Sequence, residues 1–216
     1  MLESPRTRRL RSDYRALEKL RSESSILDFA IPPDPTGAPP EVYYIHFYGR
    51  GLFRPLGTTD VLVREHHEVC IRLGAAYPRM MPELSWKTPI FHPNISSSGV
   101  VCLGGYGTHW VPSLNLDELC VMLWDVVRYA NFDVGSPYNR EAAYWARNQA
   151  AAAFPVDVRP LRDRVAGVAP ANGCRKPPIV AQPPTVRGRE VAVAETVDVM
   201  DAEIVDAPYA DILYID

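Results

Sequence analysis

A thiol and a side-chain amide stand eight positions apart in the run Phe91-His92-Pro93-Asn94-Ile95-Ser96-Ser97-Ser98-Gly99-Val100-Val101-Cys102-Leu103. A cysteine thiol can carry an acyl group as a thioester, and a nearby amide can donate a hydrogen bond to the oxyanion formed when a nucleophile attacks it. Cys102 and Asn94 on a short, turn-rich segment therefore point to acyl transfer on cysteine. The competing reading of Cys102 is a buried free thiol, a common fate of cysteine in a reducing compartment.

The surrounding elements must hold that segment. Residues 5–24 read as a helix, with Leu10, Tyr14, Leu17 and Leu20 as one apolar stripe. Arg6, Arg8, Arg9, Arg11, Arg15 and Arg21 make the rest of it basic, as a solvated face or as a docking surface for an acidic partner. Prolines 32, 33, 35, 39 and 40 break the chain. Residues 42–48, 61–63, 68–73 and 84–87 read as strands of a meander, with turn material at Gly49, Gly51, Pro55 and Gly57. Asn115 and Glu118 form a capping pair for a helix running to about residue 130. Ser136-Pro137 opens a last helix running to about residue 152. The fold class is α+β: a four-stranded antiparallel meander packed against an N-terminal helix and C-terminal helices.

A chain of 216 residues, 47% hydrophobic, holds one domain with an appendage or two small domains. A net charge of −3 carries no global nucleic-acid signature, and no apolar run has membrane-span length, so neither partner is expected. Cys70, Cys102, Cys120 and Cys174 lack paired spacing, which indicates no zinc site, no disulfide framework and a reducing cytoplasm; no cofactor is expected. Lysine occurs only at 19, 87 and 176, which fits a GC-rich genome or a lysine-modifying enzyme that avoids itself. Residues 1–154 read as the catalytic core. Residues 155–189, proline-rich and net +5, read as a disordered linker. Residues 190–216 hold eight acidic and no basic side chains among scattered apolar ones, and read as an acidic tail or a partner-binding segment.

Tyr77-Pro78 with Pro82, His92-Pro93-Asn94, Cys102-Leu103, Trp110 with Pro112, and Pro137 with Asn139 and Ala142 resemble the ubiquitin-conjugating enzymes over roughly residues 6–152. The offsets match as well as the residue types, with eight positions from Asn94 to Cys102 and eight from Cys102 to Trp110. The resemblance implies that Cys102 accepts a ubiquitin-like protein as a thioester from an activating enzyme and passes it to a lysine amine. It implies that Asn94 stabilises the oxyanion or holds the loop that positions the acceptor, and that His92 holds its loop by hydrogen bonds. It places Ser136 or Asp133 near the incoming amine, against a competing role for Ser136 as a helix cap. It implies partner contacts at Arg8, Arg11 and Arg15 on the helix, and at Arg79, Val111 and Ser113 on the loops. Trp86 and Trp110 read as core.

The departures concern the surroundings of the cysteine. The stretch from Asn131 to Pro137 is about two residues longer than the usual form. Gly104 replaces an acidic or amide residue, Arg79 replaces an apolar ligase-docking side chain, and residues 49–60 lack the usual turn. They leave ligase partnership open and, with arginine used for lysine, suggest a divergent bacterial member. Two other classes compete: a non-catalytic scaffold that binds a ubiquitin-like protein, and a cysteine hydrolase with His92 or His109 as base.

Overall fold

The computed structural model describes residues 3–103, 110–149 and 154–167, all within the compact unit Met1–Pro178. The expectations for Gly104, His109, Cys174 and the 190–216 segment lie outside the described residues. The elements run α1 (Pro5–Glu23), β1 (Leu27–Ala30), β2 (Val42–Phe53), β3 (Leu62–Arg72), β4 (Glu83–Trp86), α2 (Leu116–Val127) and α3 (Arg140–Arg147). The four strands form one antiparallel sheet in sequential order, so the fold is the α+β meander expected. Among the described residues no helix is long and apolar enough to cross a membrane.

Helix α1 starts where Ser4 accepts a hydrogen bond from the Thr7 N–H, with proline in the first turn. Its buried face carries Leu10, Leu17 and Leu20, as the stripe predicts, together with Asp13. Phe29, Tyr43, Ile45, Phe47, Val69 and Ile71 bring the inner face of the sheet into the same core as Leu119, Leu123 and Trp124 of α2.

Three strand assignments change. Leu27–Ala30 is a strand that the prolines after it obscure. The segments 61–63 and 68–73 are one strand, because β2 and β3 pair along a long hairpin. Gly49 and Gly51 lie inside β2 at a bulge rather than in a turn. A Cβ on Gly49 would sit 2.5 Å from the Trp124 ring, and one on Gly51 2.6 Å from the His67 ring. Glycine here permits close approach of the sheet backbone to the core.

The expected boundary at residue 154 also moves. Residues 154–167 pack on the core, with Val156 and Leu161 buried. Arg159 is only 4% exposed. Its guanidinium donates to both carboxylate oxygens of Asp157 at 3.0 and 2.7 Å and to Ser25 Oγ at 3.1 Å. Asp163 accepts from the Ser25 N–H at 2.7 Å. Trp124 Nε1 donates to the Arg159 carbonyl at 2.8 Å. Burial alone would raise the Asp157 pKa, but the hydrogen bonds and charge of Arg159 outweigh it and hold that carboxyl below its usual range. The strap thus closes the end of the sheet where α1 meets β1.

Removing a charge that neutralises two buried carboxylates is costly. Arg159→Ala is expected to lower the unfolding free energy by about 3–5 kcal/mol in urea melts. Arg162→Ala breaks only half-exposed pairs with Glu23 and Asp117 and is expected to cost about 1 kcal/mol or less. Equal losses in the two variants would contradict this account of the strap.

Candidate active site

The segment from His92 to Cys102 folds back on itself, which is why the eight-residue offset matters. Ile95 and Val101 form a bridge, and the Ser96 N–H donates to the Val100 carbonyl at 2.9 Å. The Cys102 N–H donates to the Asn94 carbonyl at 2.8 Å, so thiol and amide belong to adjacent backbone positions. The turn needs Gly99: its φ is +83°, and a Cβ there would lie 2.2 Å from the Trp86 carbonyl oxygen. The Trp86 N–H donates to the Gly99 carbonyl at 2.7 Å, which docks the hairpin on the end of β4. Cys102 is half-buried, whereas Cys70 and Cys120 are buried. Burial pushes the Cys120 thiol up, away from the reactive thiolate. The thiol at Cys102 is therefore not sealed inside.

Asn94 is 3% exposed, and its side chain clasps Asp133. Oδ1 accepts from the Asp133 N–H at 2.7 Å, and Nδ2 donates to the Asp133 carbonyl at 3.1 Å. The Asp133 carboxylate is exposed and accepts from the Gly135 N–H at 2.6 Å. The Tyr138 and Asn139 N–H groups both donate to the Pro93 carbonyl, at 2.8 and 2.9 Å. The loop from Asn131 to Pro137 is thus pinned to the Pro93-Asn94 pair, at Asp133 and just beyond Pro137. Ser136 is exposed within this loop and does not cap the last helix. The cap is Asn139, whose Oδ1 accepts from the Ala142 N–H at 3.0 Å, and α3 ends at Arg147, short of the expected residue 152.

His92 is fully buried, with Nδ1 accepting from the Asn94 N–H at 3.1 Å. Burial pushes its pKa down to about 3, partly offset by the Asn131 backbone. A sealed ring that stays neutral at physiological pH serves the loop rather than proton transfer. That removes His92 as the base of a cysteine hydrolase.

Arg8, Arg11 and Arg15 are exposed on α1, with Arg11 paired to Glu3 at 3.1 Å. Arg79, Val111 and Ser113 are exposed on two loops that touch. Trp110 Nε1 donates to the Pro78 carbonyl at 2.7 Å, and the Tyr77 and Trp110 rings lie 6.2 Å apart. Trp86 is core, whereas Trp110 is half-buried and braces these loops.

Two residues escaped the sequence reading. Arg9 points inward, unlike its basic neighbours. Its guanidinium donates to Tyr77 Oη at 2.9 Å and to the Pro112 and Leu114 carbonyls. Asp13 accepts from Arg9 Nε at 2.9 Å, from the Tyr77 hydroxyl at 2.7 Å and from the Leu116 N–H at 3.2 Å. A carboxylate of α1 thereby satisfies a free N–H at the start of α2. The available signal was a carboxylate lying on the apolar stripe.

Residues 62–159 match the ubiquitin-conjugating enzyme family. The architecture that carries the matched segment is an α+β fold, a four-stranded antiparallel meander with flanking helices. Ubiquitin-conjugating enzyme E2 16 of Schizosaccharomyces pombe is 36% identical over 34% of this chain and 45% of its own length. A candidate NEDD8-conjugating enzyme, Ubc12-like, of Arabidopsis thaliana is 36% identical over 31% and 35%. A candidate ubiquitin-conjugating enzyme E2 31 of the same plant is 30% identical over 29% and 41%. The chain thus matches less than half the length of these relatives. Among solved structures, a candidate ubiquitin conjugating enzyme of Plasmodium yoelii is similar over 69% of this chain and 88% of its own, with a TM-score of 0.49 and 21% identity.

The buried histidines set an acid limit. His67 is fully buried and held at about 4, and His92 at about 3, both below the ordinary 6.5. Each is protonated in the unfolded chain before it is in the fold. Their contribution is therefore complete above about pH 6.5 and lost as pH falls toward 4 and then 3, by about 1.4 kcal/mol per pH unit for each ring. Denaturant melts across that range are expected to show this slope, and His92→Gln to flatten it by one proton. An unchanged slope in His92→Gln would contradict the assignment.

Proposed function

We propose that this chain carries a ubiquitin-like protein as a thioester on Cys102, received from an activating enzyme, and transfers it to a lysine amine. The observation that carries this reading is that Cys102 is only half-buried and donates its backbone N–H to the carbonyl of Asn94, whose side chain holds the loop at Asp133. The family match over residues 62–159 supports it.

In the first step the Cys102 thiolate attacks the activating enzyme's thioester, and the departing thiolate takes up the proton. Exchange of one thioester for another is nearly neutral in energy, so an accessible cysteine suffices. In the second step a neutral lysine amine attacks the Cys102 thioester. The oxyanion collapses to an amide, the Cys102 thiolate leaves, and the amine proton passes to solvent or a nearby acceptor. Asn94 Nδ2 has two hydrogens, one engaged at Asp133; the second is the donor assigned to the oxyanion. Asn94 thus combines the two roles that the sequence leaves open. The Asp133 carboxylate, at the clasp itself, is the better placed group to receive the amine; Ser136 is the other exposed candidate on the loop. The surface of Arg8, Arg11 and Arg15 faces the activating enzyme, and Arg79, Val111 and Ser113 form the site for a ligase or the activating enzyme.

Incubation with an activating enzyme, ATP and the matching modifier is expected to give a thiol-sensitive adduct. Cys102→Ala should lose it and Cys70→Ala keep it; an adduct that survives in Cys102→Ala would sink the assignment. Asp133→Ala is expected to charge normally but to transfer to free lysine about 10-fold more slowly, with a smaller loss in Ser136→Ala. Undiminished transfer in both would exclude the loop from the amine step.

A further inference from the structure

We propose that Tyr129 is the positioning residue of this site, holding both halves of the Asn94–Asp133 clasp through one aromatic ring. This rests on the transfer function above. Helix α2 ends in a Schellman turn: the Tyr129 N–H donates to the Val126 carbonyl at 3.1 Å, and the Ala130 N–H to the Asp125 carbonyl at 2.9 Å. Tyr129 occupies the left-handed position of that turn, with φ 53°, where glycine is usual. It is the one non-glycine residue with positive φ among those described. Helix termination alone asks for no side chain there, so the ring and hydroxyl need another explanation.

Their contacts supply it. The ring is 6% exposed and meets the edge of His92 at 4.7 Å between centroids, 63° from parallel. It stacks on Phe154 at 4.8 Å and packs on Phe132 at 5.5 Å. The hydroxyl donates to the Phe91 carbonyl. Phe91 and His92 lead directly into Pro93-Asn94, and Phe132 leads directly into Asp133. His92 in turn accepts the Asn94 N–H. One side chain therefore contacts the residues that lead into both sides of the clasp. Its energy is spent on orientation, which governs the amine step and not the thioester exchange.

The test is single-turnover discharge of charged protein to free lysine, with charging measured alongside. Tyr129→Phe removes the hydroxyl alone, and Tyr129→Leu removes the ring. Both are expected to charge at the wild-type rate. Discharge should slow about 3-fold in Tyr129→Phe and about 10-fold or more in Tyr129→Leu, compared at equal folded fraction. Discharge unchanged in both variants, or slowed only in step with lost folded protein, overturns the inference. If Tyr129→Leu does not fold, Tyr129→Phe decides. A second readout needs no charging. Nitrogen NMR of His92 in the wild type should show a neutral ring protonated at Nε2, and Tyr129→Leu should disturb that tautomer or broaden it. An undisturbed His92 signal in the Leu variant also overturns the inference. Failure of the wild type to charge would instead sink the proposed function and leave the histidine readout standing.

Discussion

The site depends on a pair of hydrogen bonds between one neutral side chain and one peptide unit, Asn94 on Asp133. An amide suits that task because it offers a donor and an acceptor in one plane without a charge to desolvate. A carboxylate in the same buried position could accept from Asp133 but not donate to it. The clasp joins a hairpin that hangs from β4 to a loop that follows α2, two parts of the chain with no covalent reason to stay together. Pro93, held by Tyr138 and Asn139, closes the same junction a second time.

The rest of the fold supplies rigidity to that junction from two sides. On one side the ring of Tyr129 lies among Phe132, Trp145, Phe154 and His92. On the other, Asp13 and Arg9 tie α1 to the start of α2 and to the loop after the cysteine. Such buried polar groups are expensive to strand and specific when satisfied. Asp13 illustrates this: fully buried, it accepts from a guanidinium, a phenol and a helix N-terminus. The exposed arginines of α1 and the exposed loop residues Arg79, Val111 and Ser113 are consequently joined to one frame.

Alternation and helical spacing place the sheet and helices because they record which face of an element meets the core. The stripe of α1, the strands through Ile45 and Ile71, and the capping pair of α2 are local patterns and appear in the fold. Strand β1 was hidden by its brevity and by the prolines beyond it. The long β2–β3 hairpin hid because Gly49 and Gly51 look like turn residues. They are instead gaps into which Trp124 and His67 fit, a fact of packing that no window of sequence contains. The strap at Arg159 was masked by its composition: prolines and charges read as disorder, yet the buried Arg159 and Asp163 both bond to Ser25, far along the chain.

What the sequence by itself determined was the placing of a thiol and an amide eight positions apart, and the order of elements that carry them. Residue type decides chemistry, and a fixed offset across a short hairpin decides adjacency. Only the tertiary structure decided which residues hold the amide in place. It chose Asn139 over Ser136 as the cap, turned Arg9 inward among arginines that face out, and put a tyrosine where a helix end asks for glycine. Those choices depend on contacts between residues tens of positions apart, and such contacts leave no periodic trace along the chain.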